Sequence, residues 1–142
     1  MELTKSSPDL YAVYVDRMRK IADIKYSAAV LEWDQETYLP PKGAAARSRQ
    51  LASLAEVAHE GQIAPDLGDL LRELNQRGDL LEDQRRNIEL SWEDYNKQIK
   101  FTPAFIRRLT ETSSRSFHSW LRARNALGTL SSDTTEVTPW LT

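Results

Sequence analysis

Two histidines, no thiol and a knot of carboxylates beside a double proline carry most of the potential chemistry of this 142-residue sequence. His59-Glu60-Gly61-Gln62-Ile63 begins like a His-Glu-x-x-His zinc helix, in which two histidines one turn apart hold the metal and the glutamate between them serves as general base. The pattern then breaks, because Ile63 occupies the place of the second histidine and Gly61 is expected to end the helix. A catalytic zinc needs about three protein ligands, and His59 and His118 fall on different expected helices. No catalytic residue and no metal ligand is therefore assigned. His59 reads instead as a residue of a last helical turn, where a basic ring meets the negative end of the macrodipole.

Glu32, Asp34 and Glu36 crowd the end of an expected first helix, where negative charge faces the negative dipole end and is mildly unfavourable. Compensation is expected from Arg47, pairing with Asp34 or Glu36 across the Pro40-Pro41 turn, with Gln35 and Gln50 completing a polar network. The simplest role for such a network is to fix the angle between two helices, since ion pairs also order structures that catalyse nothing.

The elements that must position these groups are helical throughout. Ser7-Pro8-Asp9 is a helix start, and Leu10, Tyr14, Ile21, Ile24, Ala28 and Leu31 recur at helical steps toward an end near Trp33. Pro40-Pro41 forbids continuation. A second helix is expected from Ala44 to Gly61 with Leu51, Leu54, Ala55 and Ala58 inward, and a third opens at Pro65-Asp66 with Leu67, Leu70, Leu71 and Leu74, capped by a left-handed Gly78. The fourth spans Glu82 to about Gln98 with Ile88, Trp92, Tyr95 and Ile99 inside. Thr102-Pro103 opens the fifth, with Phe105, Leu109, Trp120 and Leu121 on its apolar face.

Beyond Arg124, Gly128, Ser131-Ser132, Asp133 and Thr134-Thr135 hold a helix poorly. The expected architecture is all-α: about five helices in an antiparallel, bundle-like array over residues 1–127, then an irregular tail over 128–142. Trp33, Trp92 and Trp120 are expected in the core, and Trp140 is expected to dock on whatever face the helices leave open. The clusters Asp83-Gln84-Arg85-Arg86 and Arg17, Arg19, Lys20 read as solvated helix faces.

Hydrophobic residues make up 40% of the chain and charged residues 28%, the balance of a soluble globular domain rather than of a disordered one. Nineteen basic and 21 acidic residues are mixed along it, for a net charge of -2, so there is no basic field for a phosphate backbone and nucleic acid is excluded as a partner. No apolar run reaches the ~20 residues of a membrane span. The first eight residues do not form a signal peptide, and the lack of cysteine fits a reducing compartment. A cytoplasmic location, with no membrane partner, is expected.

The run Leu31-Glu32-Trp33-Asp34-Gln35-Glu36-Thr37-Tyr38-Leu39-Pro40-Pro41, followed by Gly43, Arg47, Gln50, Leu51, Leu54 and His59-Glu60, resembles the signature of the carboxypeptidase Taq family of metallocarboxypeptidases. The likeness continues through the third and fourth helices and returns at Trp120, Ala123 and Arg124, covering about Leu10 to Arg124. It implies helical, commonly dimeric, cytoplasmic enzymes dependent on zinc or cobalt, which trim residues from peptide C-termini. Their chain is several times longer and holds its zinc far downstream, on a His-Glu-x-x-His helix with a further carboxylate. By this resemblance Trp33, Asp34, Gln35, Glu36, Thr37, Arg47, Gln50 and His59 form a family-signature polar network. The tail departs from the family pattern, since Asn125 to Glu136 intervenes before Val137-Thr138-Pro139-Trp140-Leu141.

Two functional readings follow. In the first, the chain is an N-terminal helical portion of a metallocarboxypeptidase, inactive alone, lining the groove over a zinc centre supplied by a catalytic domain it lacks; peptide is a substrate only of the full-length enzyme. In the second, it is a non-enzymatic helical module derived from that family, dimerising or binding a partner through the face the catalytic domain once covered.

Overall fold

The computed structural model describes residues 9–132, with side-chain environments through residue 127. Five α-helices account for nearly all of it, and no strand occurs among the described residues: α1 (Leu10–Thr37), α2 (Ala44–Gln62), α3 (Pro65–Asn75), α4 (Glu82–Gln98) and α5 (Pro103–Ser132), with a single 3-10 turn at Pro41–Gly43 leading into α2. The all-α expectation holds.

Cross-helix contacts give the directions. Arg47 of α2 meets Asp34 of α1, while Gly61 at the other end of α2 approaches Ile21, so α1 and α2 run antiparallel. Ser48 meets Ser114, Glu56 meets Arg107, and His59 meets the backbone of Phe101, so α5 runs back along α2. Gly68 lies against Tyr95 and Arg72 against Trp92, making α3 and α4 a second antiparallel pair. At about 1.5 Å per residue, the 28 residues of α1 are long enough to serve both pairs. Its first half packs on α3 and α4, and its second half on α2.

The main apolar cluster lies at the first of these junctions. Tyr14 and Ile21 of α1 meet Leu67, Leu71 and Leu74 of α3 and Ile88 of α4, with Met18, Trp92 and Tyr95 packed around them. Leu71, Leu74 and Ile88 are fully buried, each contributing about 1.5–3 kcal/mol of transfer free energy. The Tyr14 hydroxyl finds a partner in Ser91 Oγ at 2.8 Å, and burial pushes its phenol above the ordinary value. The second junction is built differently. Along α2 and α5 the buried residues are Ser48, Leu51, Ala52, Ala58, His59 and Ser114; apart from Leu51 they are small or polar, letting two helices approach, and the polar ones demand hydrogen bonds.

Several local expectations are corrected. The start of α1 is capped by Asp9, whose carboxylate accepts from the Tyr11 amide at 3.0 Å; Ser7 and Pro8 lie outside the described residues. The helix continues past Trp33 to Thr37, because the amides of Tyr38 and Leu39 both close on the Asp34 carbonyl before Pro40 can interrupt. Gly61 does not stop α2. It lies inside the helix, where a Cβ would stand 3.2 Å from Ile21 Cγ1, so its service is close packing rather than termination. No described glycine has positive φ; α3 ends at Gln76 in a right-handed conformation, and Gly78 is not the left-handed cap expected of it. Helix α5 runs beyond Arg124 to Ser132, so 128–132 are helical instead of irregular, and 133–142, Trp140 included, lie outside the described residues.

The aromatic expectations also need revision. Trp92 is half-buried, but Trp33 and Trp120 are 59% and 54% exposed, and Ile99, Phe105 and Leu109 are exposed as well. Helical periodicity identified an apolar stripe on α5, but among the described residues no element covers its outer part.

Candidate functional site

The polar site forms where the end of α1, the start of α2 and the middle of α5 converge. Extending α1 by a full turn brings Asp34 opposite the first turns of α2, and the Pro40-Pro41 reversal returns the chain so that Arg47 faces it. One Arg47 amino group stands 2.6 Å from Asp34 Oδ2 and donates at 2.6 Å to the Leu31 carbonyl. Its Nε donates to Gln50 Oε1 at 3.1 Å. Arg47 is largely buried, so the guanidinium neutralises a carboxylate that faces the negative end of α1 and also occupies a main-chain acceptor of that helix. Of the two carboxylates named as possible partners, the structure selects Asp34; Glu36 and Glu32 point to solvent.

Gln35 does not join this group. It faces the other side of the helix end, where its Oε1 accepts from Ser114 Oγ of α5 at 2.6 Å. Ser114 in turn lies 2.9 Å from Ser48 Oγ of α2, which also reaches the Ala44 carbonyl at 3.0 Å. With the Ser114 proton on Gln35, the Ser48 proton is shared between Ser114 and Ala44. All three side chains are buried, so the chain ties together three helices at a point where every polar group requires a partner. Ser48 and Ser114 were not anticipated, because an isolated serine on a helix carries no sequence signal that it faces another serine.

The other signature residues have separate tasks. Thr37 donates to the Trp33 carbonyl at 2.8 Å, and the exposed Trp33 ring meets Tyr38 edge-on at 5.6 Å. His59 is in the last turn of α2 but is buried, and its Nε2 lies 2.9 Å from the Phe101 carbonyl. A carbonyl only accepts, so that nitrogen carries the proton and is committed to the α4–α5 connection. Farther along, Glu56 receives Arg107 at 2.6 Å, a contact that raises the arginine's affinity for its proton.

Chemically the arrangement orders helices. Among the described residues no group of three or more His, Asp and Glu side chains converges as a metal cage. His59 has spent its Nε2 on a backbone carbonyl, and Asp34 is neutralised by Arg47, so the residues present do not fit a hydrolytic metal.

Comparison with known proteins places these features in context. The family model for the carboxypeptidase Taq (M32) metallopeptidases matches residues 14–141. Thermostable carboxypeptidase 1 of Pyrococcus furiosus is 27% identical over 125 residues, covering 88% of this chain and 24% of that protein. Thermostable carboxypeptidase 1 of Thermus thermophilus is 26% identical over 117 residues, covering 80% and 23%. A solved structure described as "The Structure of CHT" is 45% identical with a TM-score of 0.66, over 83% of this chain and 24% of that one. The chain therefore spans about a quarter of the length of the relatives it matches.

Proposed function

This chain belongs to the carboxypeptidase Taq (M32) metallopeptidase family, and from that premise we propose that it is the N-terminal helical portion of a zinc-dependent carboxypeptidase that releases C-terminal amino acids from peptides. The proposal assigns the metal, the general base and the chemical step to polypeptide outside these residues, and the two polar networks to holding α1, α2 and α5 as a wall beside that centre. The observation that carries it is the conjunction of a family match over nearly the whole chain with a described structure in which His59 and Asp34 already have structural partners. A cytoplasmic setting, with peptide as substrate of the longer enzyme only, completes the reading.

The exposed row on α5 favours a second reading. Phe105, Leu109 and Trp120, with Trp33 at the end of α1, leave large apolar side chains in water, and such surfaces mark interaction sites. A non-enzymatic module that dimerises through this face would use them directly.

Two measurements separate the readings. The pure chain, incubated with zinc or cobalt and a short peptide, is expected to release no C-terminal amino acid, and metal-dependent release would overturn the assignment of the chemistry elsewhere. A reading frame continuing from Thr142 to a His-Glu-x-x-His segment supports the first reading; a stop codon there, with a stable dimer by sizing chromatography, supports the second.

A further inference from the structure

A groove of about 420 Å³ lies between the first turns of α2 and the middle of α5. Its α5 wall is set by helical periodicity: Glu111, Arg115, His118, Ser119 and Arg122 recur at steps of three and four and so share one face. The α2 wall contributes Ala44, Ala45, Ser48 and Arg49. Three arginines thus line one small depression in a chain whose net charge is -2.

These arginines differ from most of the others in the chain. Arg17, Arg19, Arg47, Arg72, Arg77, Arg86 and Arg107 each face a carboxylate. Among the described residues Arg49, Arg115 and Arg122 make no ion pair; Arg49 donates to the Ala45 carbonyl and Arg122 to Ser119 Oγ, which leaves most of each guanidinium fork unused. Glu111 also lines the groove, one helical turn from Arg115 and within electrostatic reach of Arg107. The start of α2 offers no offsetting charge, since the helix begins with no side-chain cap and no acidic residue in its first turn. His118 lines the same groove, and its Nε2 is shielded from solvent with no hydrogen-bond partner among the described residues.

We propose that this groove binds a small oxyanion, a phosphate or carboxylate group held by Arg115 and Arg122 against the start of α2, with Arg49 at its edge and the His118 imidazole beside it. The site borders the buried serine chain through Ser48, and it stands whether or not the carboxypeptidase reading holds.

The test is an NMR titration of the whole chain with potassium phosphate, and in parallel with potassium acetate, ionic strength being held constant with potassium chloride. Saturable shifts of the His118 ring and of the Arg115 and Arg122 guanidinium Nε–H signals are expected with at least one of the two anions, and which of them saturates identifies the class. Arg115→Ala and Arg122→Ala should each weaken binding about threefold, the scale of one partly exposed charge contact. Arg86→Ala, remote from the groove, should leave it unchanged. Shifts that grow linearly without saturation, that follow chloride equally, or that persist undiminished in both arginine variants would overturn the proposal.

Discussion

Arg47 reaches across the double-proline turn to hold Asp34 at 2.6 Å while donating to the carbonyl of Leu31 at the same distance. One side chain therefore secures both the charge and the backbone at the end of α1. Arg47→Ala removes both contacts and leaves a half-shielded carboxylate at the negative end of a helix, so a loss of about 2 kcal/mol is expected by urea denaturation. Arg47→Lys should recover less than half of this, because an ammonium lacks the planar fork that serves Asp34, Leu31 and Gln50 together. Full recovery by lysine would show that charge alone matters there.

Ser114→Ala tests the buried chain from Gln35 to Ser48. Removing the central hydroxyl strands the Gln35 oxygen inside the protein, and a cost of about 1–3 kcal/mol is expected. If thermal unfolding of this variant matches the parent protein, the three side chains are not coupled as their distances indicate.

At position 68 an alanine should act against its usual sign. Within a helix Gly→Ala ordinarily stabilises by about 1 kcal/mol, but a Cβ on Gly68 would overlap the Tyr95 ring, lying 2.5 Å from its Cζ. Gly68→Ala is expected to destabilise by about 1–3 kcal/mol through overpacking, and combining it with Tyr95→Leu should cost less than the sum of the two single changes. Additive losses in chemical denaturation would separate the two residues.

An acid titration reads the Arg77–Asp79 pair between α3 and α4. The Arg77 guanidinium, hydrogen-bonded to both carboxylate oxygens at 2.9 and 2.6 Å, lowers the Asp79 carboxyl from 3.8 to about 2. Because the folded value is depressed, the pair's contribution is present above the unfolded value and is lost as pH falls through the folded one. Carbon-detected NMR should place the Asp79 midpoint near the lower figure, and Arg77→Ala should return it toward the ordinary one. A midpoint unmoved by that substitution would remove the arginine as cause.

The four main loops show how far sequence reaches. The stop at Pro40-Pro41 and the starts at Pro65 and Pro103 were readable, because proline's missing donor and fixed φ act within one or two residues. Glycine misled twice: Gly78 keeps an ordinary backbone, and Gly61 sits inside α2, since a glycine that permits close packing looks the same in sequence as one that ends a helix. The pairing of Arg47 with the carboxylates before the turn was also legible, as the turn itself brings the two helix ends together. Ser48, Ser114 and the oxyanion groove were not, because their partners lie on α5, 66 positions along the chain in the Ser48–Ser114 case.

Local rules, namely helical periodicity, proline punctuation and a family signature around Trp33 to Pro41, were enough to establish an all-α chain, its five helices and its kinship. Tertiary structure alone decided which part of each apolar stripe is buried. Periodicity defines a face but not what stands opposite it, so Trp33, Phe105, Leu109 and Trp120 read as core in one dimension and lie at the surface in three. It also decided that His59 spends its polar atom on the backbone of Phe101, a partner that only the return of α5 along α2 could bring within reach.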